Sequence, residues 1–386
     1  MTEVVRIAMV GCGGMMGAHC RGYKLLWEAG IRSFSLDACC DINEENAKRM
    51  ADEIEKFQGT RPRLYPSLEK MLKAEKDLTA VDISTQHRVH HKLAVQAMEC
   101  GLHVTIEKPL AITMRAGKLM LDTAKATKRI LQVAENYRRS PENRAVNWAL
   151  EQKRLGRLRM IFWIGIGERV WYWNWREHVA QAGGGWTLDG GVHYADLFRY
   201  HIGDVKTIFS QSKRFHPYRY KKPETLEEPI KVDVEDTTIS VLEFENGVSG
   251  QWTSTSAAPG KGTNWCAIYG EHGSIVFGQG LKTRKEELTT QQLIDEFMGA
   301  ITADEKEKLF PHGITDTCAT ELKEFIDAVS HGTKLETDGL EGYKALAICF
   351  GVYESSALGK PVEIRQIESL KIESYQDKLN RSLRLK

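Results

Sequence analysis

The sequence lacks the features that would place it in several specialised classes of protein. Its charges balance, with 53 Lys and Arg against 52 Asp and Glu, so no excess of either sign favours nucleic acid or an anionic membrane as a partner. No apolar run is long enough to cross a bilayer. The N-terminus has no basic region followed by an apolar core, as a signal peptide would. We therefore expect a cytoplasmic protein with neither kind of partner.

Cysteine spacings that indicate metal binding are also missing. The eight cysteines are scattered, without a Cys-x-x-Cys pair or a Cys/His arrangement of the zinc type. We expect reduced, mostly buried thiols and no metal site. With 42% hydrophobic and 27% charged residues, the composition is that of an ordinary globular protein, and 386 residues favour two domains.

A strand, a glycine loop and a helix follow one another at the start of the chain. Val4–Val10 is a β-branched apolar run typical of a buried parallel strand. Gly11 permits a tight turn and Gly13 lets the backbone approach a pyrophosphate at the helix N-terminus, so this order predicts a dinucleotide site. Met16 occupies the third small-residue position, and Gly17 is expected to supply the close helix–strand contact. The predicted cofactor contacts of the loop are Gly11, Gly13, Gly14, Met15 and Met16.

The second strand, Phe34–Cys40, ends at Asp41. An acidic residue at this point accepts hydrogen bonds from the adenosine ribose and repels a 2′-phosphate. No arginine follows it immediately, so the sequence predicts NAD as the cofactor rather than NADP. The alternative role for Asp41 is to cap the helix that begins near Glu44.

Two later strands end in polar side chains. Thr85 and His90 follow one apolar strand, and Glu107 and Lys108 follow the next. Ligands of open α/β sheets bind beyond the carboxyl ends of the strands, so these side chains are candidates for cofactor or substrate contact. Pro109 biases Lys108 away from helical geometry and aims its side chain outward. The alternative for Lys108 is an ordinary solvated lysine.

The alternation of strands and helices predicts an α/β Rossmann domain over residues 1–137. Further strands follow in residues 138–386, including a hairpin turn at Asn246–Gly247. We expect the polar stretch 215–234 to be a surface loop. The basic tail 377–386 is expected to be frayed or to lie at an oligomer contact.

The segment Gly183–Asp196 combines five glycines with an Asp-x-x-x-His pattern. Asp189 and His193 would project together from one helical face. A carboxylate raises the proton affinity of an imidazole and orients it, as acid–base chemistry near neutral pH requires. A chance Asp/His pair at a helix start is the alternative from this segment alone. Asp196 is interpreted as a helix-anchoring residue, and the glycines are expected to let the backbone pass close to cofactor and substrate.

Trp171, Trp173 and Trp175 form an unusual aromatic run. Aromatic faces stack on the apolar faces of sugar rings and on flat aglycones. Packing in the core or at an interface is the alternative interpretation.

Together these motifs resemble the Gfo/Idh/MocA oxidoreductases, which include glucose–fructose oxidoreductase and inositol dehydrogenase. The resemblance is collinear over nearly the whole chain. It departs from the family pattern at Met16 and at Gln86, where the family often has proline. The matching stretches are Gly11–His19, Thr85 with His90, Glu107-Lys108-Pro109, Asn136-Tyr137-Arg138, Asn174-Trp175-Arg176 and Gly183–Asp196.

This resemblance implies an α+β C-terminal domain with a large, open, mostly antiparallel sheet. That domain would bind substrate and form a homodimer or homotetramer through its sheet, and the helical pattern 340–358 would pack back near the first domain. Besides the loop and Asp41, the implied cofactor contacts are Thr85, His90, Glu107, Lys108, Asn136, Trp175 and Arg176. The implied substrate contacts are Lys108, Tyr137, Trp173, Trp175, Asp189 and His193.

Hydride transfer from a secondary alcohol needs a base and a group that holds the reacting oxygen. Lys108 can stabilise developing alkoxide charge, His193 can take the proton, and Asp189 can bind an adjacent hydroxyl or tune His193. The resemblance implies the same three catalytic residues. Relatives differ in whether the lysine or the histidine is the immediate base, and we favour His193.

The expected function is that of an NAD-dependent oxidoreductase acting on a ring secondary hydroxyl, or on the corresponding ketone, of a sugar, cyclitol or glycoside. No phosphate-reading cluster is evident, so a neutral polyol is favoured. Two alternatives remain: an NAD-dependent lyase or hydrolase that cleaves a glycosidic bond without net redox change, and a non-catalytic NAD-responsive regulator. The presence of Lys108, Asp189 and His193 argues against the regulator.

Overall fold

A computed structural model describes residues 4–385 of the chain. Its N-terminal part alternates strongly apolar strands with amphipathic helices. Two of these helices begin at a polar side-chain cap: Asn43 accepts a hydrogen bond from the Glu45 amide, and Ser67 accepts one from the Lys70 amide. The elements of this part are β1 (Val5–Val10), α1 (Gly14–Glu28), β2 (Phe34–Cys40), α2 (Glu44–Gln58), β3 (Arg63–Tyr65), α3 (Leu68–Ala74), β4 (Ala80–Ile83), α4 (His90–Glu99), β5 (His103–Glu107), α5 (Met114–Thr127) and β6 (Leu131–Ala134).

The first six strands form one sheet in the order β3-β2-β1-β4-β5-β6. Every pairing in it is parallel, and β4 is buried along its whole length, as expected for a sheet covered on both faces. Because the strands are parallel, their carboxyl ends share one edge. The chain runs to β2 on one side of β1 and to β4 on the other, which opens a crevice at that edge. The predicted Rossmann fold is confirmed.

The remaining elements combine short helices with a long series of strands. They are α6 (Pro141–Glu151), β7 (Leu158–Ile166), α7 (Val179–Ala182), α8 (Trp186–Asp189), α9 (Gly191–His201), β8 (Val205–Lys213), β9 (Tyr218–Lys222), β10 (Glu227–Lys231), β11 (Thr237–Phe244), β12 (Ser249–Thr255), β13 (Thr263–Gly270), β14 (Gly273–Val276), β15 (Gly280–Thr283), β16 (Glu287–Leu288), α10 (Thr290–Ala300), α11 (Ala303–Leu309), α12 (Thr317–His331), α13 (Gly339–Leu358), β17 (Val362–Glu363), α14 (Ile364–Glu368) and α15 (Asp377–Leu383).

Nine of these strands form a second sheet in the order β16-β15-β14-β13-β7-β12-β11-β8-β17. Its neighbours pair antiparallel, apart from β7 and β12, which run parallel. In β11 the side chains alternate strictly between buried and partly or fully exposed positions, so one face of the sheet is packed and the other is open. The predicted large, mostly antiparallel, open sheet is confirmed.

The chain divides into two compact units. The first holds the residues up to Ala111, Ala116–Ser140 and Thr302–Gly342, and the second holds Ile112–Arg115, Pro141–Ile301 and the residues from Tyr343 onward. The predicted domain boundary at residue 137 therefore does not describe the whole chain, because residues 302–342 belong to the first unit.

The physical reason for this return is the apolar face of α12. Its side chains Ala319, Leu322, Phe325 and Ile326 are fully buried and belong to the same hydrophobic core as β1 and β2. The periodicity of α12 predicts a helix but not the sheet that the helix covers.

One segment differs from its expected form, and the tail is ordered rather than frayed. Residues 215–234 contain the antiparallel hairpin β9–β10 rather than an irregular loop, and Arg219 within it is fully buried. The tail contains α15, where Leu379 is buried and Asn380 donates a hydrogen bond to Glu373 at 3.0 Å. Both segments are rich in polar residues. Their composition therefore does not predict the strand pairing and the hydrogen bond that order them.

Residues 4–385 include no helix of the length and apolar character needed to cross a membrane. All eight cysteines carry free thiols, and Cys100 alone among them is exposed.

Candidate functional site

The glycine loop after β1 forms a cradle for a phosphate group. Gly11 has a positive φ of 85°, and a Cβ there would collide with the carbonyl of Ser84 and lie 2.6 Å from the side chain of Thr85. At Gly13 and Gly14 an added Cβ would meet no atom within 4 Å. Gly13 precedes α1 without any side-chain cap, so the first amides of the helix face open space at its positive end. The loop fits a dinucleotide pyrophosphate.

Asp41 lies beside this cradle at the end of β2. Its carboxylate accepts hydrogen bonds from the amides of Cys12 and Asn43, both at 2.7 Å. Asn43, rather than Asp41, caps α2. Each carboxylate oxygen retains a lone pair that can accept a ribose hydroxyl, so the residues present suit NAD.

Met16 and Gly17 do not behave as the glycine pattern predicted. Met16 is fully buried in the core, whereas Met15 is 37% exposed at the loop surface. A Cβ on Gly17 would meet one atom, the end of the flexible Arg21 side chain, at 4.0 Å. The expected helix–strand contact at Gly17 is therefore wrong, because Met16 fills that space.

His90 supports the loops at this edge of the sheet. It is fully buried, with Nδ1 at 3.0 Å from the Pro109 carbonyl and Nε2 at 3.2 Å from the Thr85 carbonyl. Burial and the neighbouring His87 lower the pKa of His90 to about 3, so the ring is neutral and donates through one nitrogen only. The structure therefore places His90 behind two loops rather than at an open cofactor surface.

A buried charge cluster holds the end of β5. His19 of α1 lies between two carboxylates, with Nδ1 at 2.9 Å from Asp82 and Nε2 at 3.0 Å from Glu107. Tyr23 donates a hydrogen bond to Asp82 at 3.1 Å, and Glu321 of α12 lies 3.9 Å from His19. All five side chains are buried.

The cluster favours a protonated His19. Burial opposes the charge, but the carboxylates of Asp82 and Glu107 outweigh it and hold the pKa of His19 well above its ordinary value. Burial raises the pKa of Glu321 well above its usual range, although the charge of His19 opposes this. An imidazolium has two N–H donors, and the two flanking carboxylates accept both.

Lys108 follows directly from this braced strand. Its side chain is partly buried and its amide donates a hydrogen bond to the Glu107 carboxylate at 3.1 Å. The Lys108–Pro109 peptide is cis. The charge of Lys108 partly offsets the effect of burial, which raises the pKa of Tyr137. Asn136 is held against α12, where its amide donates to Thr317 at 3.0 Å.

In the second unit, Asp189 and His193 lie on two successive helical segments. Asp189 ends α8 and His193 lies in the first turn of α9, with Gly190 between them still in helical backbone geometry. Both side chains are buried, at 4% and 8% exposure, and Asp196 is buried as well. The Asp-x-x-x-His pair therefore spans the junction of two short helices, and the helical backbone geometry continues through Gly190.

The glycines around these residues accommodate the protein's own side chains. A Cβ on Gly191 would lie 2.6 Å from the Trp252 ring, and one on Gly185 would collide with Glu235. Glu235 accepts hydrogen bonds from the amides of Gly185 and Thr187. Internal packing, rather than a passing cofactor, accounts for these two glycines.

Arg176 joins Asp189 to the aromatic run. Its Nε lies 3.3 Å from the Asp189 carboxylate, and its guanidinium stacks over Trp173 and Trp175 at 4.7 and 4.3 Å from the ring centroids. Trp175 and Arg176 lie in a single helical turn, Asn174–Glu177. The arrangement fixes the orientation of a carboxylate beside an aromatic surface.

The sequence predicts Glu107 at the site but does not predict the buried charge cluster to which it belongs. Asp82 looked like a core strand residue, and Glu321 lies in a helix far along the chain. A charged residue inside an otherwise apolar strand was the available signal, since a buried carboxylate requires a partner.

The geometry defines a two-unit protein with a dinucleotide-binding half, and comparison with known proteins narrows the class. Residues 5–135 match the family model described as oxidoreductase family, NAD-binding Rossmann fold, and residues 143–276 match the GFO/IDH/MocA C-terminal domain. The chain belongs to the Gfo/Idh/MocA family of NAD-dependent oxidoreductases, as its motifs predicted.

Several relatives align along almost the whole chain. Levoglucosan dehydrogenase of Pseudarthrobacter phenanthrenivorans is 26% identical, covering 95% of this chain and 99% of its own. D-apiose dehydrogenase of Rhizobium rhizogenes is also 26% identical, covering 94% and 98%. A solved levoglucosan dehydrogenase in complex with NADH and L-sorbose shares the fold, with a TM-score of 0.76, 24% identity and coverage of 94% and 99%.

The buried cluster generates a stability prediction. We expect His19→Gln to lower the free energy of unfolding by about 3 kcal/mol or more, because two buried carboxylates lose their cation. The measurement is urea unfolding. The matched control is His331→Gln, on the exposed face of α12 with 46% of its side chain accessible, which we expect to change stability by about 0.5 kcal/mol or less.

The difference in the free energy of unfolding between His19→Gln and wild type also depends on pH. Because folding raises the pKa of His19, its protonation stabilises the fold fully below its unfolded pKa of about 6.5. The contribution is lost as pH rises through the raised folded-state pKa, so the difference narrows at alkaline pH. If His19→Gln and His331→Gln lose equal amounts of the free energy of unfolding, a charged role for His19 is contradicted.

Proposed function

We propose that this oxidoreductase acts on a ring secondary hydroxyl of a neutral sugar, cyclitol or glycoside, or on the corresponding ketone. The observation that carries the proposal is the position of Lys108, a cation at the same sheet edge as the dinucleotide cradle. The names of two relatives, levoglucosan dehydrogenase and D-apiose dehydrogenase, support a sugar as the substrate class.

Three side chains would carry the chemistry in this proposal. The glycine loop and Asp41 would hold NAD, which would supply the acceptor for a hydride from the carbon that bears the hydroxyl. Lys108 donates a hydrogen bond to the reacting oxygen and stabilises its negative charge as the proton leaves. His193 takes that proton as the immediate base. Asp189, oriented by Arg176, accepts a hydrogen bond from a neighbouring hydroxyl of the substrate.

The remaining predicted contacts have supporting roles in this proposal. Thr85 lies against the turn at Gly11, and Tyr137, 40% exposed, lies within the electrostatic reach of Lys108. Trp173 and Trp175 offer ring faces to a sugar, and Arg176 is already paired with Asp189. The charges near Asp189 are thereby balanced, which favours a neutral substrate.

Replacing Lys108 separates catalysis from cofactor binding. We expect Lys108→Ala to lower kcat by about a hundredfold or more while NAD still binds, because the glycine cradle and Asp41 are unchanged. The assay follows NADH absorbance with a panel of polyols and glycosides, and NAD binding is measured by calorimetry. The control is Lys118→Ala, which removes an exposed α5 lysine paired with Asp122 and should leave kcat unchanged.

Unchanged turnover in Lys108→Ala would remove Lys108 from the mechanism. A glycoside that is cleaved while no NADH appears and NAD stays bound would replace the dehydrogenase with the non-redox lyase or hydrolase. If no member of the panel reacts although NAD binds, the regulator is favoured instead.

We also propose that the open face of the nine-stranded sheet forms a homodimer or homotetramer interface. Phe209, Ile239 and Val241 are 44–57% exposed on this face. Val241 pairs with Phe209 across β8 and β11, so the three side chains form one apolar patch. Burying such a patch against a second copy is favourable.

A charge placed on this face tests the interface. We expect Ile239→Glu to shift the protein from oligomer to monomer in size-exclusion chromatography with light scattering, since a buried carboxylate without a partner is costly. Leu340→Glu is the matched control, because Leu340 is 50% exposed on α13 and Ile239 is 52% exposed. A monomeric wild type, or an Ile239→Glu variant of wild-type mass, would reject the sheet as the interface.

A further inference from the structure

A cavity of about 380 Å³ lies within the second unit, at one end of the nine-stranded sheet. This volume falls in the range of sites for small organic ligands. We call it the tryptophan pocket, because its aromatic lining is Trp163, Trp171, Trp173, Trp186, Tyr194 and Trp252.

The sequence of β7 leaves this space open. Trp163 and Gly165 point to the same, packed face of the sheet, two residues apart. Gly165 pairs with Ser254 on one side and with Asn264 on the other, so a row of small or polar residues crosses the floor. A Cβ built on Gly165 would meet no atom within 4 Å. The floor is therefore bare where a larger residue would fit.

The aromatic walls are held in place by neighbouring structure. Tyr194 packs on Trp163 with ring centroids 4.2 Å apart. The hairpin β9–β10 supports the strip that carries Trp171: the Tyr172 amide donates to the Tyr220 carbonyl at 2.9 Å, and the Tyr220 amide donates to Val170 at 2.8 Å. Walls that are ordered before binding reduce the entropic cost of capturing a ligand.

The polar groups of the pocket suit a neutral, hydroxyl-rich ligand. Glu168 and Arg169 line it with opposite charges, and Arg169 is hydrogen-bonded to Glu177. No surplus of positive charge is thus available for a phosphate. Trp252 also lines the pocket, and its buried Nε1 has no hydrogen-bond acceptor among residues 4–385. Ser254 lies in the same lining.

The pocket adjoins the predicted substrate residues of this unit through Trp173, which lines it. Trp186 and Asp189 are the first and last residues of α8. Arg176 contacts both the Asp189 carboxylate and the face of Trp173. A ring in the pocket would therefore neighbour a ring held by Asp189.

We propose that the tryptophan pocket binds a second pyranose ring, so that the substrate is a neutral glycoside of at least two sugar rings. The aromatic faces stack on the apolar side of that ring, and the hydroxyl and amide groups of the floor bind its rim. One ring is oxidised at Asp189 and His193, and the other gives binding energy and selectivity. This inference rests on the proposed function.

The test fills the floor of the pocket. Gly165→Leu is compared with wild type on disaccharides (cellobiose, maltose, lactose and trehalose) and on the methyl glycosides of their oxidised rings. We expect wild type to prefer a disaccharide by about tenfold or more in kcat/KM, and Gly165→Leu to lower that ratio by a similar factor. Gly299→Leu in α10 is the matched control, because a Cβ there also meets nothing within 4 Å, and its ratio stays at the wild-type value.

An unchanged ratio in Gly165→Leu, or a wild type that uses methyl glycosides as well as disaccharides, overturns the proposal. A preference for phenyl glucoside without a preference for any disaccharide also overturns it, since the pocket then takes an apolar aglycone.

A binding assay separates this inference from the proposed function. Tryptophan fluorescence is titrated with each disaccharide, and we expect a saturable change in wild type that is lost in Gly165→Leu. Saturable binding without NADH formation on any substrate rejects the proposed function and supports the pocket. NADH formation with an equal response of both proteins to disaccharides rejects the pocket and keeps the proposed function.

Discussion

The fold depends on one buried ionic contact, the imidazolium of His19 between the carboxylates of Asp82 and Glu107. Removing these charges from water is costly, and the cost is offset only because both N–H donors meet an acceptor at close range. The contact joins α1, which begins at the dinucleotide cradle, to β4 and β5. It therefore fixes the strand end that carries Lys108 relative to the cradle, within one compact unit. The chemistry that we propose requires such a fixed position, because the reacting oxygen must meet a preorganised donor.

Much of this architecture could be predicted from the sequence, because local patterns report local structure. The glycine loop, Asp41 and the strand ends carrying Lys108 follow from periodicity and from the edge shared by parallel strands. The contacts that arise only from long-range packing could not be predicted in this way. Glu321 lies 3.9 Å from His19, although about three hundred residues of sequence separate them. Met16 takes the position of a small residue in the glycine pattern, and its burial in the core is visible only in the structure. His90, which the family pattern places at the cofactor, is observed behind two loops because its ring nitrogens contact their carbonyls.

The second unit shows how polar composition can conceal order. The hairpin β9–β10 reads as a loop, yet it holds the strip of chain that carries Trp171, and it buries Arg219 near Glu177 and Asp236. The sequence left two interpretations of the run Trp171, Trp173 and Trp175, packing or sugar binding. In the structure Trp171 and Trp186 are about 40% exposed at the cavity, whereas Trp163 and Trp252 are buried in its lining. The cavity exists because residue 165 is a glycine, which leaves open the space that those side chains surround.

In the reaction that we propose, hydride passes from a ring carbon of a neutral carbohydrate to NAD. The most direct measurement uses a glycoside deuterated at its ring carbons, incubated with the purified protein and NAD, with mass analysis of both products. We expect the reduced cofactor to gain one deuterium and a ketone of the sugar to be released in equal amount. Release of a cleaved sugar without labelled NADH, or the absence of label from the cofactor with every substrate that binds, would contradict it.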